Sequence, residues 1–298
     1  MVCPALAPLK ITAMKRSLIA LILLAALRTP ALASDVFFID VDGGRIAAES
    51  CTPRGPTKTI VLIHDGTLHS AVWDWVWPIF CERFHTVRFD LRGYGKSPPS
   101  TRPYSSVADI GAVMEALHID HAILVGASAN GGRAMAFALD HPAAVEALVV
   151  VGPAVPGVPF SEAFMTMAKP VRGSLEKHDL AGAVAAFARF DFVVSPRNTA
   201  AKEKAMALLR ANPQNLEPRT LQDPSGSIVD RLGELNVPTL VIVGADDHPN
   251  NQHHARVAHD KIVGSMFVTM TDAGHLAYLD QPQALAGLVI SFLKARTR

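Results

Sequence analysis

Residues 123–139 read ILVGASANGGRAMAFAL, and this stretch decides the fold class. An apolar run typical of a buried strand ends at Gly126, and a helix-like run follows Gly132. Ser128 lies in the small-residue turn between these runs, which is the layout of a nucleophile elbow. The turn needs small residues two positions before and after the serine. Gly126 meets that need, whereas Asn130 replaces the second glycine of Gly-x-Ser-x-Gly with a side chain that tolerates strained turns.

Two further polar residues follow apolar runs later in the chain. Asp247 comes after the strand pattern at residues 238–244, and His275 lies in a short turn after the apolar run 265–270. The carboxyl ends of strands in an open α/β sheet share one edge, where ligands bind. We therefore expect the two residues to meet Ser128 at that edge.

The chain order Ser, Asp, His is the order of α/β-hydrolases and differs from the orders in chymotrypsin and subtilisin. Two more blocks follow predicted strands, His64-Asp65-Gly66 and the arginine- and glycine-containing run 88–97. With these motifs, the chain from about residue 36 to 293 resembles the α/β-hydrolase superfamily, in its esterase, enol-lactonase and carbon-carbon hydrolase branch. The resemblance implies a mostly parallel eight-stranded sheet with helices on both faces and an inserted helical cap.

The same resemblance assigns roles to the three polar residues. Ser128 is the expected nucleophile, His275 the general base and acid, and Asp247 the carboxylate that orients the histidine. Asp246 is an alternative for the acid, but the spacing Gly-x-x-Asp in the family favours Asp247.

The resemblance also places two backbone donors for an oxyanion. Family geometry assigns one to the residue after the nucleophile, here Ala129. Alignment on His64 makes Gly66 the second donor. Because Asp65 replaces the usual glycine of His-Gly-x, the identity of this second donor stays open at the sequence level.

Strand patterns and helical stretches alternate along most of the chain, which is typical of a parallel βαβ sheet. Two antiparallel strands around the turn 42–44 precede them. The predicted strands lie at 36–41, 45–49, 59–64, 85–90, 121–126, 147–152, 238–244 and 265–270. This pattern predicts a hydrolase core at 34–152 and 236–298 and a helical cap at 153–235.

The cap is rich in large apolar side chains at helical spacing. We expect two or three of the following residues to face substrate: Phe160, Phe164, Met165, Met167, Phe187, Phe190 and Phe192. The candidate substrate-binding residues are Trp73, Phe164 and Phe190. Trp73 and Trp77 are four residues apart, which predicts that they share one helix face. Packing in the core is the alternative for each of them.

Residues 1–33 have the pattern of a secretory signal. The basic start Met14-Lys15-Arg16 precedes the eleven-residue apolar run 17–27, and an A-x-A site ends at Ala33. That run is too short for a membrane span, which needs about 20 apolar residues. We therefore expect cleavage after Ala33, export to the periplasm or medium, and no stable membrane anchor; an uncleaved anchor or a tail is the alternative.

Charge and cysteine content bound the remaining classes. Residues 1–33 hold four cations and no acids, so their removal takes the formal net charge from +1 to −3 and leaves no basic footprint for nucleic acid. Cleavage also removes Cys3 and leaves Cys51 and Cys81, either disulfide-bonded or two separate thiols. The histidines after residue 247 lack metal-ligand spacing and the glycine-rich runs lack a nucleotide motif, so we expect no metal and no cofactor.

These features predict an exported serine hydrolase that cleaves a small-molecule carboxylic ester or lactone. The alternatives are a carbon-carbon bond or enol-lactone hydrolase and a non-catalytic ligand-binding member of the fold. The fold alone does not fix the substrate.

Overall fold

The computed structural model describes residues 35–55, 57–224 and 226–296. Its centre is one sheet of eight strands. The strands are β1 (Phe37–Val41), β2 (Gly44–Cys51), β3 (Thr59–Ile63), β4 (His85–Phe89), β5 (Ala122–Ala127), β6 (Val145–Val151), β7 (Thr239–Gly244) and β8 (Met266–Met270). Each agrees with a strand expected from the sequence to within about two residues at its ends, which is the ordinary uncertainty of a boundary.

The strand order is β1-β2-β4-β3-β5-β6-β7-β8. β1 pairs antiparallel with β2 and β2 with β4, whereas every other neighbouring pair is parallel. The β1–β2 hairpin turns at Asp42-Gly43, where glycine accepts a φ of +75°. The mostly parallel eight-stranded sheet is the one that the family resemblance implied.

Helices connect the strands and cover both faces of the sheet. They are α1 (Trp77–Cys81), α2 (Ser106–Ala116), α3 (Ala129–Asp140), α4 (Glu162–Met167), α5 (Lys169–Leu175), α6 (Leu180–Phe187), α7 (Thr199–Ala211), α8 (Pro249–Lys261), α9 (Ala277–Asp280) and α10 (Pro282–Arg296). Side chains on one face of the sheet pack with α1, α9 and α10, and those on the other pack with α2, α3 and α8. The central strands β5 and β7 are buried along their whole length, as expected for parallel strands covered on both faces.

Four helices, α4 to α7, fill the segment between β6 and β7 where the sequence predicted a cap. Polar N-caps fix where three of them begin: the side chains of Ser161, Asp179 and Asn198 accept backbone N–H groups of the first turns of α4, α6 and α7. Within residues 152–224 and 226–238, no strand is present, and an isolated bridge joins Gln222 to Tyr104.

The structure joins Cys51 to Cys81 in a disulfide, a pairing that the sequence left open. Cys51 ends β2 and Cys81 ends α1, with their Cα atoms 5.6 Å apart. The bridge closes a long loop of the chain and ties β2, which lies between β1 and β4 in the sheet, to a helix on one face of the sheet. Constraining such a loop in the unfolded chain typically stabilises a fold by about 2–4 kcal/mol.

The expected signal segment, residues 1–33 with its cleavage site after Ala33, lies outside the described residues. Among the residues that are described, no helix combines the length and the apolar character that crossing a membrane would require.

Candidate active site

Ser128 occupies the turn between β5 and α3, as the elbow motif predicts. Its backbone has φ 54° and ψ −129°, a strained conformation for a residue with a side chain. The close return of the chain explains the small residues around it. A Cβ added at Gly126 would lie 2.9 Å from the carbonyl oxygen of Asn130 and 3.0 Å from the Cβ of Ala134. The serine hydroxyl is thereby held at the carboxyl edge of the sheet.

His275 and Asp247 reach the same edge from the loops after β8 and β7. The Nε2 atom of His275 lies 2.9 Å from Ser128 Oγ, and its Nδ1 atom lies 2.8 Å from Asp247 Oδ2. Because a carboxylate only accepts hydrogen bonds, Nδ1 carries the proton and Nε2 is free to accept the serine hydroxyl. A Cβ at Gly152 would lie 3.0 Å from Nδ1 of the imidazole, a tight contact, and the φ of +53° at this position also favours glycine.

The neighbouring Asp246 takes a different place. Its carboxylate accepts a hydrogen bond from Ser195 Oγ at 2.7 Å. Asp247 is buried and is held by the backbone N–H of His248 and by Asn251 Nδ2, both 2.7 Å from Oδ1. The geometry therefore places Asp247, and not Asp246, against His275.

The surroundings of His275 shift its acid–base balance. Burial lowers its pKa, but the adjacent Asp247 carboxylate and, farther away, the Asp65 carboxylate raise it by more, so that the pKa lies above its ordinary value. The imidazolium that forms when the ring accepts a proton is thus stabilised in place.

The two candidate oxyanion donors lie together beside the serine. Ala129 is the first residue of α3, where backbone N–H groups have no acceptor inside the helix. Gly66 faces it across the cavity, and a Cβ added there would sit 3.5 Å from the Cβ of Ala129. Both residues line the same cavity as Ser128.

That cavity has a volume of about 340 Å³ and is lined mainly by apolar side chains of the segment between β6 and β7, where the sequence predicted the cap. Phe164 and Phe190, two of the candidate substrate-binding residues, line it, as do Phe160, Phe187 and Phe192. Five of the seven apolar residues singled out in the sequence therefore line the cavity, and the expectation that two or three of them face substrate stays a prediction. Met165 is exposed and Met167 packs against the core, and neither lines it.

Trp73, the third candidate for substrate binding, is a correction. It is fully buried, its ring centroid lies 4.2 Å from that of Tyr278, and it does not line the cavity. The two tryptophans also do not share one helix, because Trp73 ends a 3₁₀ turn and Trp77 begins α1 ahead of Pro78. An apolar residue near a site can pack either way, and this ring completes the core.

Three residues at the site were not anticipated from the sequence. Asn251 lines the cavity, and its Nδ2 lies 2.7 Å from Asp247 Oδ1 and 3.1 Å from His275 Nδ1. Tyr278 donates its hydroxyl to Asp65 Oδ2 at 3.2 Å. Arg172 on α5 is the one permanently charged side chain among the described residues around the cavity. Of these three residues, only Asn251 could have been suspected from the sequence, because it lies four residues after Asp247.

The described ranges contain no group of three or more histidine, cysteine, aspartate or glutamate side chains placed to hold a metal ion. Two of the histidines after residue 247 make structural contacts. His254 accepts the backbone N–H of Val155 through Nδ1 at 3.0 Å, and the ring of His248 packs against those of Phe164 and Phe192.

Comparison with known proteins gives this geometry a family. A family model described as the alpha/beta hydrolase family matches residues 60–288. Carboxylesterase YbfK of Bacillus subtilis is 24% identical over 274 residues, covering 87% of this chain and 88% of that protein. The 2-hydroxy-6-oxo-6-(2'-aminophenyl)hexa-2,4-dienoic acid hydrolase of Metapseudomonas resinovorans is 24% identical over 256 residues, covering 81% and 86%.

Among solved structures, Est816, described as an N-acyl homoserine lactone degrading enzyme, superposes with a TM-score of 0.71 and 25% identity. The match covers 86% of this chain and 100% of that one. The relatives belong to the esterase, lactonase and carbon-carbon hydrolase branch that the motifs indicated. With its sheet, its elbow and a family match over most of its length, the chain belongs to the alpha/beta hydrolase family.

Proposed function

We propose that the protein is a serine hydrolase that cleaves a carboxylic ester or lactone through an acyl-enzyme on Ser128. The observation that carries this proposal is the pair of hydrogen bonds that joins Ser128 Oγ to His275 and His275 to Asp247. The names of the relatives support the same class, since they include a carboxylesterase and a lactone-degrading enzyme.

In the first half-reaction, His275 Nε2 removes the proton from Ser128 as the hydroxyl oxygen attacks the substrate carbonyl. The backbone N–H groups of Ala129 and Gly66 stabilise the oxyanion of the tetrahedral intermediate. The intermediate collapses to an acyl-enzyme, and the imidazolium of His275 gives its proton to the leaving alcohol.

In the second half-reaction, His275 removes a proton from water as that water attacks the acyl-enzyme. The new tetrahedral intermediate uses the same oxyanion donors, and it collapses as its bond to Ser128 Oγ breaks. The imidazolium of His275 returns its proton to Ser128 Oγ, and the carboxylic acid leaves. Asp247 holds the imidazole in one tautomer and stabilises its charged form throughout.

The lining and size of the cavity support the proposed substrate class. Its phenylalanine lining favours an apolar acyl or aryl group over a polar one. Its volume of about 340 Å³ lies near the small end of the roughly 300–1,000 Å³ that ligand pockets occupy. We therefore expect esters of short and medium acyl chains to be better substrates than long-chain esters.

Turnover of p-nitrophenyl esters from acetate to decanoate by residues 34–298, with Ser128→Ala as the control, tests this proposal. The expected result is a rate that peaks below decanoate and falls to background in Ser128→Ala. If the folded protein turns over no ester but is modified at Ser128 by a phosphonate, a narrower enol-lactone or carbon-carbon substrate is favoured. Absence of both turnover and modification would contradict the serine hydrolase and favour a binding role.

The proposed compartment is the periplasm or the medium. The Cys51–Cys81 disulfide supports it, because such bridges persist in oxidising compartments and are rare in the cytosol. Expression of the full chain in a bacterium that exports proteins tests this location. We expect the protein in the periplasmic fraction, with a mass that begins at Ser34 and no free thiol. A cytosolic protein with its N-terminal segment intact would contradict export.

A further inference from the structure

Two positions where this chain departs from the family pattern lie in contact with each other. Asp65 stands in place of the glycine of His-Gly-x, and Asn130 stands in place of the second glycine of the elbow. Both side chains are buried, with 1% and 0% of their surface exposed. Asn130 Nδ2 donates to the backbone carbonyls of His64 and, at 3.3 Å, of Asp65. A side chain of the elbow helix thus binds the loop that carries Gly66.

The orientation of the Asn130 amide is fixed by its other partner. Arg133 Nη1 donates to Asn130 Oδ1. Since a guanidinium can only donate hydrogen bonds, the amide oxygen faces Arg133 and the amide nitrogen faces the loop. Asn130 therefore acts on the loop as a donor.

Holding the Asp65 carbonyl determines the direction of one N–H group. This carbonyl accepts from His64 Nδ1 at 2.6 Å as well as from Asn130. A peptide unit is planar, with its C=O and N–H pointing in opposite directions. The two donors on Asp65 O therefore set the direction of Gly66 N–H, which belongs to the same peptide.

The Asp65 side chain accepts hydrogen bonds from the next two backbone amides of the loop. Its Oδ1 atom accepts the backbone N–H groups of Thr67 at 2.8 Å and Leu68 at 2.9 Å. Tyr278 binds the second carboxylate oxygen, and Tyr94 donates to the Gly66 carbonyl at 3.1 Å. Among the described residues, Gly66 N–H, next to these two amides, has no hydrogen-bond acceptor in the protein.

We propose that Asn130 and Asp65 are a coupled pair of positioning residues for the oxyanion donor at Gly66. Asn130 fixes the direction of that N–H through the carbonyl of the same peptide. Asp65 accepts the next two amides, those of Thr67 and Leu68, on its carboxylate and leaves Gly66 N–H free to bind the oxyanion. The inference rests on the proposed function, and neither side chain contacts substrate.

Asn130→Asp tests the pair most sharply, since it keeps the shape of the side chain and replaces its donor with an acceptor. We expect kcat for p-nitrophenyl butyrate to fall by roughly 10- to 100-fold, part of the 10² to 10³ that loss of an oxyanion donor costs. The KM should stay within about threefold, because the contact acts in the transition state. Affinity for phenylboronic acid, which forms a tetrahedral adduct with the serine, should fall in parallel with kcat.

Asp65 supplies a second, independent variant series. Asp65→Gly removes the acceptor of Thr67 and Leu68 N–H and should lower kcat and boronate affinity as Asn130→Asp does. Asp65→Asn keeps an oxygen for both amides, so its kcat at the alkaline plateau should stay within about threefold of the wild type. The kcat of the double variant Asn130→Asp/Asp65→Gly should be only slightly below that of the less active single variant, because both substitutions act on one N–H group.

Asn212→Asp is the matched control. It makes the same change of side chain after the last turn of α7, where Asn212 Nδ2 donates to the backbone carbonyl of Leu208 at 3.3 Å, and neither of these residues lines the cavity. We expect its kcat and boronate affinity to match the wild type.

The proposal is overturned if folded Asn130→Asp and Asp65→Gly keep wild-type kcat and boronate affinity. It is also overturned if a fall in kcat is always accompanied by a rise in KM and a fall in melting temperature, as expected for a purely structural contact. If Asn130→Asp does not fold, the Asp65 series decides by the same criteria. A wild type that hydrolyses no ester and binds no boronate would overturn the proposed function, and the positioning role with it.

Discussion

The two halves of the cavity are lined by different kinds of side chain. The half that the core supplies is polar, and its groups are fixed by hydrogen bonds from several elements: Ser128 to His275, His275 to Asp247, and Asn130 to the loop before Gly66. The half that the cap supplies is five phenylalanines that touch one another, with centroids 5.1 to 6.1 Å apart along the series Phe160, Phe164, Phe192, Phe190 and Phe187.

From this difference we expect the core half to determine the rate of reaction and the cap half to determine which substrates are preferred. Hydrogen bonds are directional, so the core half can hold reacting atoms within the narrow geometry that catalysis needs. Contacts between apolar rings depend on area and shape, so the cap half can accept related substrates at a modest cost for each. Variants in the core half should therefore lower turnover of every substrate, and variants in the cap half should change the order of substrates.

The largest effect is expected at the acid. Asp247→Asn should lower kcat by about 10⁴-fold for every ester, because an amide cannot hold the imidazole in the required tautomer. Asp246→Asn is the matched control, since Asp246 binds Ser195 and not His275. Its kcat should stay within about threefold of the wild type. Steady-state kinetics of the two variants measures this, and the reverse order of losses would assign the acid to Asp246.

A smaller and substrate-dependent effect is expected at Phe192. This side chain is buried, and its ring meets that of His275 edge-on at 6.1 Å. Phe192→Ala keeps the backbone carbonyl that accepts His275 N–H at 2.8 Å and removes only the ring. Burial of such a side chain is worth about 1.5–3 kcal/mol, so kcat/KM for hexanoate should fall by roughly 10- to 100-fold.

The ratio of hexanoate to acetate turnover is the measurement that separates selection from reaction at Phe192. That ratio should fall in Phe192→Ala and stay constant in Phe38→Ala, whose ring lies 44% exposed on β1 under Arg45. An equal loss for both esters in Phe192→Ala would remove the distinction between the two halves.

The smallest effect concerns pH. The proposed mechanism needs neutral His275, and Asp247 and Asp65 raise its pKa, so kcat/KM should fall as the pH drops through a value above the ordinary 6.5. Asp65→Asn removes one of the raising charges and should move this acid limb to lower pH. Asp230→Asn, a change of the same charge at a position whose side chain is 91% exposed, should not move it. A limb that shifts upward in Asp65→Asn would contradict the electrostatic account.

The core half could be predicted largely from the sequence. Ser128, Asp247 and His275 each follow a strand whose apolar pattern is visible, and the sheet brings strand ends together. The partners of the oxyanion loop could not be predicted in this way. Tyr278 and Asp65 are 213 residues apart, and no local pattern relates them.

The cap half was predictable only in composition. The sequence shows large apolar residues such as Phe164 and Phe190 in this segment, but it does not show which of them face the cavity. The position of Trp73 could not be predicted either. Trp73 is seven residues after Gly66 in the sequence, yet its ring packs in the core against Tyr278. Which large apolar side chain faces a cavity depends on how the helices pack, and packing involves the whole chain.

The most direct test of the account is covalent labelling by an activated alkyl phosphonate, mapped to a residue by mass spectrometry of the digested protein. The account predicts one adduct, on Ser128, formed in the wild type, slowed by Asp247→Asn and absent in Ser128→Ala. No adduct on Ser128 in the folded wild-type protein, or labelling that persists unchanged in Ser128→Ala, would contradict it.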